Sequence, residues 1–170
     1  MHKEIFIRFD RCLGCRSCEI ACAVAHSEDR SLIGAIKQSP LPKKRIFVEQ
    51  VDSLKAPVTC RHCREAYCVN ACISGAMHRT PDGLVTNLEA EQKCTGCWMC
   101  VMVCPYGVIR RDQEKGIAMK CDRECFDEKG IPACVRACPT RALIFTTLEE
   151  FEADKRCRYL ARTILAAAGS

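Results

Sequence analysis

The alternation of apolar and polar positions along the chain predicts several short β-strands rather than long elements. Each stretch is brief and is bounded by turn residues, such as those in "TPDG" and "QEKG". The segment 31–44, which contains two prolines, is predicted to be a surface loop. The predicted strands are "EIFIRF", "RIFVEQV", "LVTN", "VIRRD", "IAMK" and "ALIF".

The pattern changes after Thr147, where apolar residues recur at the period of an α-helix. Thr147 and Glu150 have the spacing of a capping box, which satisfies backbone N–H groups at the start of a helix. We therefore predict a C-terminal helix with one apolar face. That face contains Leu148, Phe151, Leu160 and Ile164.

Cysteines interrupt this pattern in four groups, which together contain sixteen of the 17 cysteines. Groups one and three have identical gaps of two, two and three residues. Group two widens its middle gap to four, and group four has gaps of three, eight and three. Because every group ends with the same gap of three, the chain contains an internal repeat of small modules. In order, the groups are Cys12, Cys15, Cys18 and Cys22; Cys60, Cys63, Cys68 and Cys72; Cys94, Cys97, Cys100 and Cys104; Cys121, Cys125, Cys134 and Cys138.

Thiols at this spacing are typical of loops that bind 4Fe-4S clusters. A loop with a cysteine at every third position can present three sulfurs to three corners of one cubane. The fourth cysteine follows on a helix that points away, so it binds the neighbouring cubane. After Cys104 and Cys138 a proline ends that helix, whereas the helix after Cys18 can continue to about His26. The pattern therefore predicts four cubanes that exchange ligands.

Composition and charge are consistent with metal binding. The start "MHKEIFIRFDRC" lacks the apolar core of a signal peptide, and the longest apolar stretch near the end is too short to cross a bilayer. We therefore expect a cytoplasmic protein with reduced thiols, whose only membrane association would arise through a partner complex. Four clusters would take the formal charge from +5 to roughly −3, so the basic residues do not indicate nucleic acid. The expected counter-charges are Arg16, Arg61, Arg64, Lys120, Arg123 and Arg136.

Zinc is the main alternative to iron, because C-x2-C pairs also occur in zinc knuckles. His62 lies between two cysteines and is a possible ligand, but with sixteen cysteines present a solvated or backbone-bonded histidine is favoured. We expect Trp98 to pack over a cubane and Cys157, outside every group, to be a half-exposed helix thiol. No paired carboxylates, nucleophile with a base or phosphate loop occurs between the groups, so electron transfer rather than catalysis is expected.

The four groups, in this order over residues 12–139, resemble the iron–sulfur electron-transfer subunits of the dimethyl sulfoxide reductase beta type (DmsB/HycB). Within that family, "CLGCRSCEIACAVAHS", "PLPKKRIFV" and the compact length are most similar to the CooF group, the ferredoxin-like partners of anaerobic carbon monoxide dehydrogenase. The resemblance implies an α+β fold of two intertwined ferredoxin-like modules with a C-terminal helix. It implies a first half at 1–55, a second module at 56–112, a return half at 113–147 and a helical tail at 148–170.

The resemblance also implies which cysteines share a cubane, because groups one and four exchange their last cysteines, as do groups two and three. The implied sets are Cys12, Cys15, Cys18 and Cys138; Cys121, Cys125, Cys134 and Cys22; Cys94, Cys97, Cys100 and Cys72; Cys60, Cys63, Cys68 and Cys104. The four 4Fe-4S clusters are expected to lie in a row in that order.

The implied function is electron transfer from carbon monoxide dehydrogenase to a hydrogenase or another acceptor. A second candidate is the electron-transfer subunit of a formate hydrogenlyase, a formate dehydrogenase or a molybdenum or tungsten oxidoreductase. A zinc-binding scaffold without a redox role is the third. In the expected row, the docking surfaces lie at the cubanes of groups one and two, where Arg16, Arg61 and Arg64 are available to acidic partners.

Overall fold

Paired short strands form the framework of the molecule. Within residues 3–168, the part of the chain that this computed structural model describes, they pair as four antiparallel ladders of two strands each. In sequence order the pairs are β1 (Glu4–Ile7) with β8 (Leu143–Thr146), β2 (Ile46–Val51) with β3 (Leu54–Thr59), β4 (His78–Arg79) with β5 (Val85–Thr86), and β6 (Arg110–Asp112) with β7 (Ile117–Met119). Every stretch predicted to be a strand contains one, so the mixed helix and strand architecture is confirmed.

The helices are short except for the last one. They are α1 (Ser17–Ala25), α2 (Leu32–Lys37), α3 (Tyr67–Asn70), α4 (Met99–Val103), α5 (Ala133–Arg136) and α6 (Leu148–Ala168). Helix α2 corrects the prediction of an irregular loop over 31–44. Ser31 caps it, because its side chain accepts a hydrogen bond from the Gly34 N–H, and Leu32 and Ile33 on it remain exposed.

Two separate apolar cores hold these elements together. The first joins β1, β2 and β8 through Ile5, Ile46, Val48 and Leu143, and it includes Cys18, Cys22 and Cys134. The second contains Ala66, Met77, Val85, Ile109 and Ala118 together with Cys100. Cysteines therefore occupy core positions that large apolar side chains fill in other small domains.

Helix α6 lies against β1 and is fixed mainly at its first half. The capping box is confirmed, since Glu150 N–H donates to Thr147 Oγ1 over 3.3 Å and Thr147 N–H donates to Glu150 Oε2 over 3.2 Å. Phe151 stacks on Phe6 with ring centroids 4.5 Å apart. The ion pairs Arg8–Asp154 and Arg162–Asp10 add polar contacts.

The predicted apolar face of α6 is wrong as a packing surface. Of its four residues only Phe151 is part-buried, whereas Leu148, Leu160 and Ile164 are more than half exposed. Ion pairs to the body of the protein take the place of an apolar stripe. Among the helices of residues 3–168, none combines the length and the apolar character needed to cross a membrane.

Candidate cysteine-lined metal centres

Each cysteine group folds as a tight loop followed by a short helix. The third cysteine of each group lies in that helix: Cys18 in α1, Cys68 in α3, Cys100 in α4 and Cys134 in α5. The fourth lies at the helix end or just beyond it, except for Cys22, which is inside α1.

Left-handed backbone at two positions curls the regular loops of groups one and three. In group three these positions are Gly96 and Trp98, with φ of 68° and 65°. A Cβ atom on Gly96 would lie 2.5 Å from the Gly116 carbonyl oxygen, so only glycine fits there. Gly14 and Arg16 have the equivalent conformation in group one, with φ of 71° and 59°. The curl turns successive cysteines towards one side of the loop.

One small cavity is bordered by cysteines of groups two and three together. It encloses about 330 Å³ and is lined by Cys72 of group two and by Cys94, Cys97 and Cys100 of group three. The ring of Trp98 lines the same cavity, as expected, and the Arg111 guanidinium lies 4.5 Å from the centroid of that ring.

A second cavity shows the reverse combination. It encloses about 370 Å³ and is lined by Cys60, Cys63 and Cys68 of group two and by Cys104 of group three. His62 also borders this cavity and is backbone-bonded, because the Val85 N–H donates to its Nδ1 over 3.0 Å.

Cysteines of groups one and four meet in the first apolar core. Burial, followed by the ionised neighbour Cys138, raises the pKa of Cys18 to about 11. Burial raises the pKa of Cys22 to about 12, and its charged neighbours Cys121 and Cys125 add to the rise. Iron binds thiolates, so assembly of clusters on such buried thiols must release protons.

The last cysteines of three groups also accept hydrogen bonds from backbone N–H groups. Met77 N–H donates to Cys72 Sγ over 3.3 Å, and Ala142 N–H donates to Cys138 Sγ over 3.2 Å. Cys22 Sγ accepts from the Arg45 N–H over 3.2 Å. Such bonds orient a ligand and stabilise its negative charge, as is common around metal-bound sulfur.

The donor chemistry fits iron–sulfur cubanes. Each of the two cavities is bordered by four thiols, which is the ligand set that a 4Fe-4S cubane takes, one for each of its irons. When bound, such a cluster takes up and gives back single electrons.

Groups two and four are brought side by side by a buried lysine. Lys120 Nζ donates to the Cys121 carbonyl over 2.9 Å and to the Val85 carbonyl. Burial raises the pKa of Cys60, and the charges near this thiol include both Lys120 and Cys121. Group two therefore adjoins group four, which corrects the expected row in which group three was the neighbour of group four.

The expected counter-charges fall into two classes. Lys120 and Arg123 are buried and Arg61 is half-buried, whereas Arg16, Arg64 and Arg136 are exposed. Sequence reasoning missed Arg45, because no cysteine lies near it in the chain. Cys157 is fully exposed on α6 rather than half-exposed.

Comparisons with known proteins agree with this chemistry. Residues 51–148 match the family described as "4Fe-4S dicluster domain", and residues 9–25 match "4Fe-4S binding domain". The chain is 40% identical to the "Iron-sulfur protein" of Rhodospirillum rubrum, over 94% of this chain and 91% of the relative. It is 36% identical to "Electron transport protein HydN" of Escherichia coli K12, over 93% and 97%. Identity to one subunit of the anaerobic dimethyl sulfoxide reductase of the same organism is 35%, over 85% and 73%.

These matches cover the loops of all four cysteine groups. The matched domains and the sixteen grouped cysteines identify the cofactors as four 4Fe-4S clusters. The relatives include an electron-transport protein and a subunit of an oxidoreductase. This protein belongs to the 4Fe-4S dicluster family of iron–sulfur electron-transfer proteins.

Proposed function

We propose that this protein takes electrons from carbon monoxide dehydrogenase and passes them to a hydrogenase or another acceptor. The observation that carries the electron-transfer function is that cysteines from different groups border shared cavities, which keeps the redox centres close together. The choice of carbon monoxide dehydrogenase as donor is supported by the resemblance of "CLGCRSCEIACAVAHS" and "PLPKKRIFV" to the CooF group.

Each cubane is assigned to three cysteines of one group and the last cysteine of another. The two cavities support this assignment for groups two and three. The charged neighbours of Cys18 and Cys22 support it for groups one and four. The assigned sets are Cys12, Cys15, Cys18 and Cys138; Cys121, Cys125, Cys134 and Cys22; Cys94, Cys97, Cys100 and Cys72; Cys60, Cys63, Cys68 and Cys104. The segments 1–55 and 113–147 then form one module, and 56–112 forms the other.

The row of cubanes runs through groups one, four, two and three. Two facts support this order: groups one and four share the first core, and Cys60 of group two neighbours Cys121 of group four. Only Cys15 and Cys97 are exposed among the sixteen grouped cysteines, and they belong to groups one and three. The terminal cubanes of this row are therefore the ones nearest to solvent.

Exposed apolar residues accompany both ends. Leu13 is 66% exposed in the loop of group one, and Met102 is 69% exposed on the helix of group three. Large exposed apolar side chains are common at protein interfaces, and transient redox partners use small ones. We assign one end to the donor and the other to the acceptor.

Stopped-flow mixing tests this function. The loaded protein is mixed anaerobically with carbon monoxide dehydrogenase under carbon monoxide, and bleaching of the clusters is followed. Reduction should be faster than that of an unrelated two-cluster ferredoxin. Leu13→Glu and Met102→Glu should each slow one step, either reduction by the dehydrogenase or reoxidation by the hydrogenase, but not both. Reduction no faster than that of the ferredoxin would remove carbon monoxide dehydrogenase as the donor.

The relationship to the dimethyl sulfoxide reductase subunit supports a second candidate. In it, this protein is the electron-transfer subunit of a formate hydrogenlyase, a formate dehydrogenase or a molybdenum or tungsten oxidoreductase. A fixed subunit buries more area than a transient carrier, so it copurifies with its enzyme at high salt. Copurification with such an enzyme, combined with slow reduction by carbon monoxide dehydrogenase, would favour this candidate.

A further inference from the structure

Cys22 obtains its N–H···S hydrogen bond differently from the other last cysteines. Cys72 and Cys138 accept from Met77 and Ala142, which follow within the same local turn. Helix α1 continues past Cys22 to Ala25, so no such turn forms there. The donor is instead the Arg45 N–H, 23 residues further along the chain.

The Arg45 side chain connects the same cysteine to group four. Its guanidinium forms an ion pair with Asp122, which directly follows Cys121 in the chain. Only 18% of the Arg45 side chain and 5% of the Asp122 side chain are exposed. A charge pair this far out of water is poorly screened and is costly to break from one side.

His26 completes the connection from the opposite side of Cys22. Its Nδ1–H donates to the Cys22 carbonyl over 2.7 Å, and its Nε2 lies 3.3 Å from Asp122 Oδ1. Arg45 and His26 therefore both contact Cys22 and both contact Asp122. The main chain around Cys22 is tied to the group-four loop by three side chains.

The charge of Arg45 acts on several sulfurs of one assigned cubane. Cys22, Cys121 and Cys125 are all among its charged neighbours. Reduction adds a negative charge to a cubane, so a nearby buried cation favours the reduced form and a nearby carboxylate opposes it.

We infer that Arg45, Asp122 and His26 form a buried clamp that positions Cys22 as a cubane ligand, and that Arg45 and Asp122 set the midpoint potential of that cubane in opposite directions. These are positioning residues, since they act through Cys22 and through charge. The inference rests on the assignment of Cys22 to the group-four cubane under the proposed function, and it is independent of which enzyme donates the electrons.

Potentiometric EPR titration of the loaded protein tests the clamp. Arg45→Ala removes the guanidinium but keeps the backbone N–H that Cys22 needs. It should lower the midpoint of one cubane, changing its reduced-to-oxidised ratio at fixed potential about tenfold, or about 59 mV for one electron. Asp122→Asn should raise the midpoint of the same cubane, and Arg45→Lys should stay close to the wild type.

Arg8→Ala is the matched control, because Arg8 is a similarly buried arginine paired with Asp154. Its four midpoints should not move. Midpoints shifted in the same direction by Arg45→Ala and Asp122→Asn, or not shifted at all, would overturn the inference. If Arg45→Ala loses about four irons, the same loss in Arg8→Ala would overturn the clamp, and full loading of Arg8→Ala would support it.

Cys22→Ala separates this inference from the assignment beneath it. If Cys22→Ala and Arg45→Ala alter the same EPR signal, both stand. If Cys22→Ala alters one signal and Arg45→Ala another, the ligand assignment survives and the clamp is refuted. If Cys22→Ala leaves the signals of group four unchanged, the assignment itself fails.

Discussion

Replacing Cys104 by alanine is expected to damage the cubane of a group to which Cys104 does not belong. Cys104 is the last cysteine of group three, but it borders the same cavity as Cys60, Cys63 and Cys68. The cavity of group three contains Cys72 in its place. Cys104→Ala should therefore alter the group-two cubane and leave the group-three cubane intact.

The size of the loss follows from the number of sulfurs at the cavity. Cys104 supplies one of the four thiols that border the space of about 370 Å³. With three thiolates left, the cubane either loses the iron at the free corner or is lost completely. Iron content should then fall from about sixteen atoms per chain to between about fifteen and about twelve. Cys157→Ala, which removes an exposed cysteine outside every group, should leave the content at about sixteen.

The assay combines iron and sulfide analysis with EPR spectra of dithionite-reduced protein. The spectrum of Cys104→Ala should lose the same signal as that of Cys63→Ala, and Cys72→Ala should lose the signal that Cys94→Ala loses. Matching spectra for Cys104→Ala and Cys94→Ala would show that group three closes on itself. In that case the exchange of last cysteines between groups two and three would be refuted.

Three further predictions concern the scaffold and the clusters. Thr147→Ala removes the acceptor of the Glu150 N–H and should cost about 1 kcal/mol, seen as a lower thermal midpoint that Thr147→Ser largely restores. Lys120→Met removes the buried cation beside Cys60 and should lower the midpoint potential of the group-two cubane; an unchanged midpoint in EPR titration would contradict this. Iron loss to a chelator should accelerate as pH falls from about 8 to about 6, because freed thiols such as Cys100, whose pKa burial raises to about 11, take up protons. A rate independent of pH would contradict it.

Local pattern was sufficient for the elements whose stability is local. The capping box of α6 and the continuation of α1 past Cys22 depend on neighbouring residues, and both were predictable. Strand β3 was not predicted, because Pro57 argues against a strand interior. Proline is tolerated there since β3 pairs only with β2, and its second edge makes no ladder hydrogen bonds.

The site divides in the same way. The cysteine groups and Lys120 were recognisable because iron ligands and their neighbours lie close together in sequence. Arg45 was not, since it reaches Cys22 across 23 residues and Asp122 across the whole second module. The order of the cubanes was also beyond the sequence, because spacing within a group carries no information on which groups face each other.

Irregular spacing in group four reflects contacts of this kind rather than a looser site. The gap of eight residues folds back on itself, since Asp127 Oδ1 accepts the N–H groups of Lys129 and Ile131, each over 2.9 Å. Ala133 N–H then donates to the Cys125 carbonyl over 3.0 Å, which holds Cys134 near Cys125 despite their separation.

The gap of three residues after Cys121 has a different use. It contains Asp122 and Arg123, which are both buried, and Asp122 is the residue that pairs with Arg45. A regular gap of two residues would displace one of these charges from its buried position. Unpaired buried charges are strongly destabilising, so the extra residue and the contact with Arg45 depend on each other. The departure from regular spacing at Cys121 is thus the point at which group four recognises the segment that delivers Cys22.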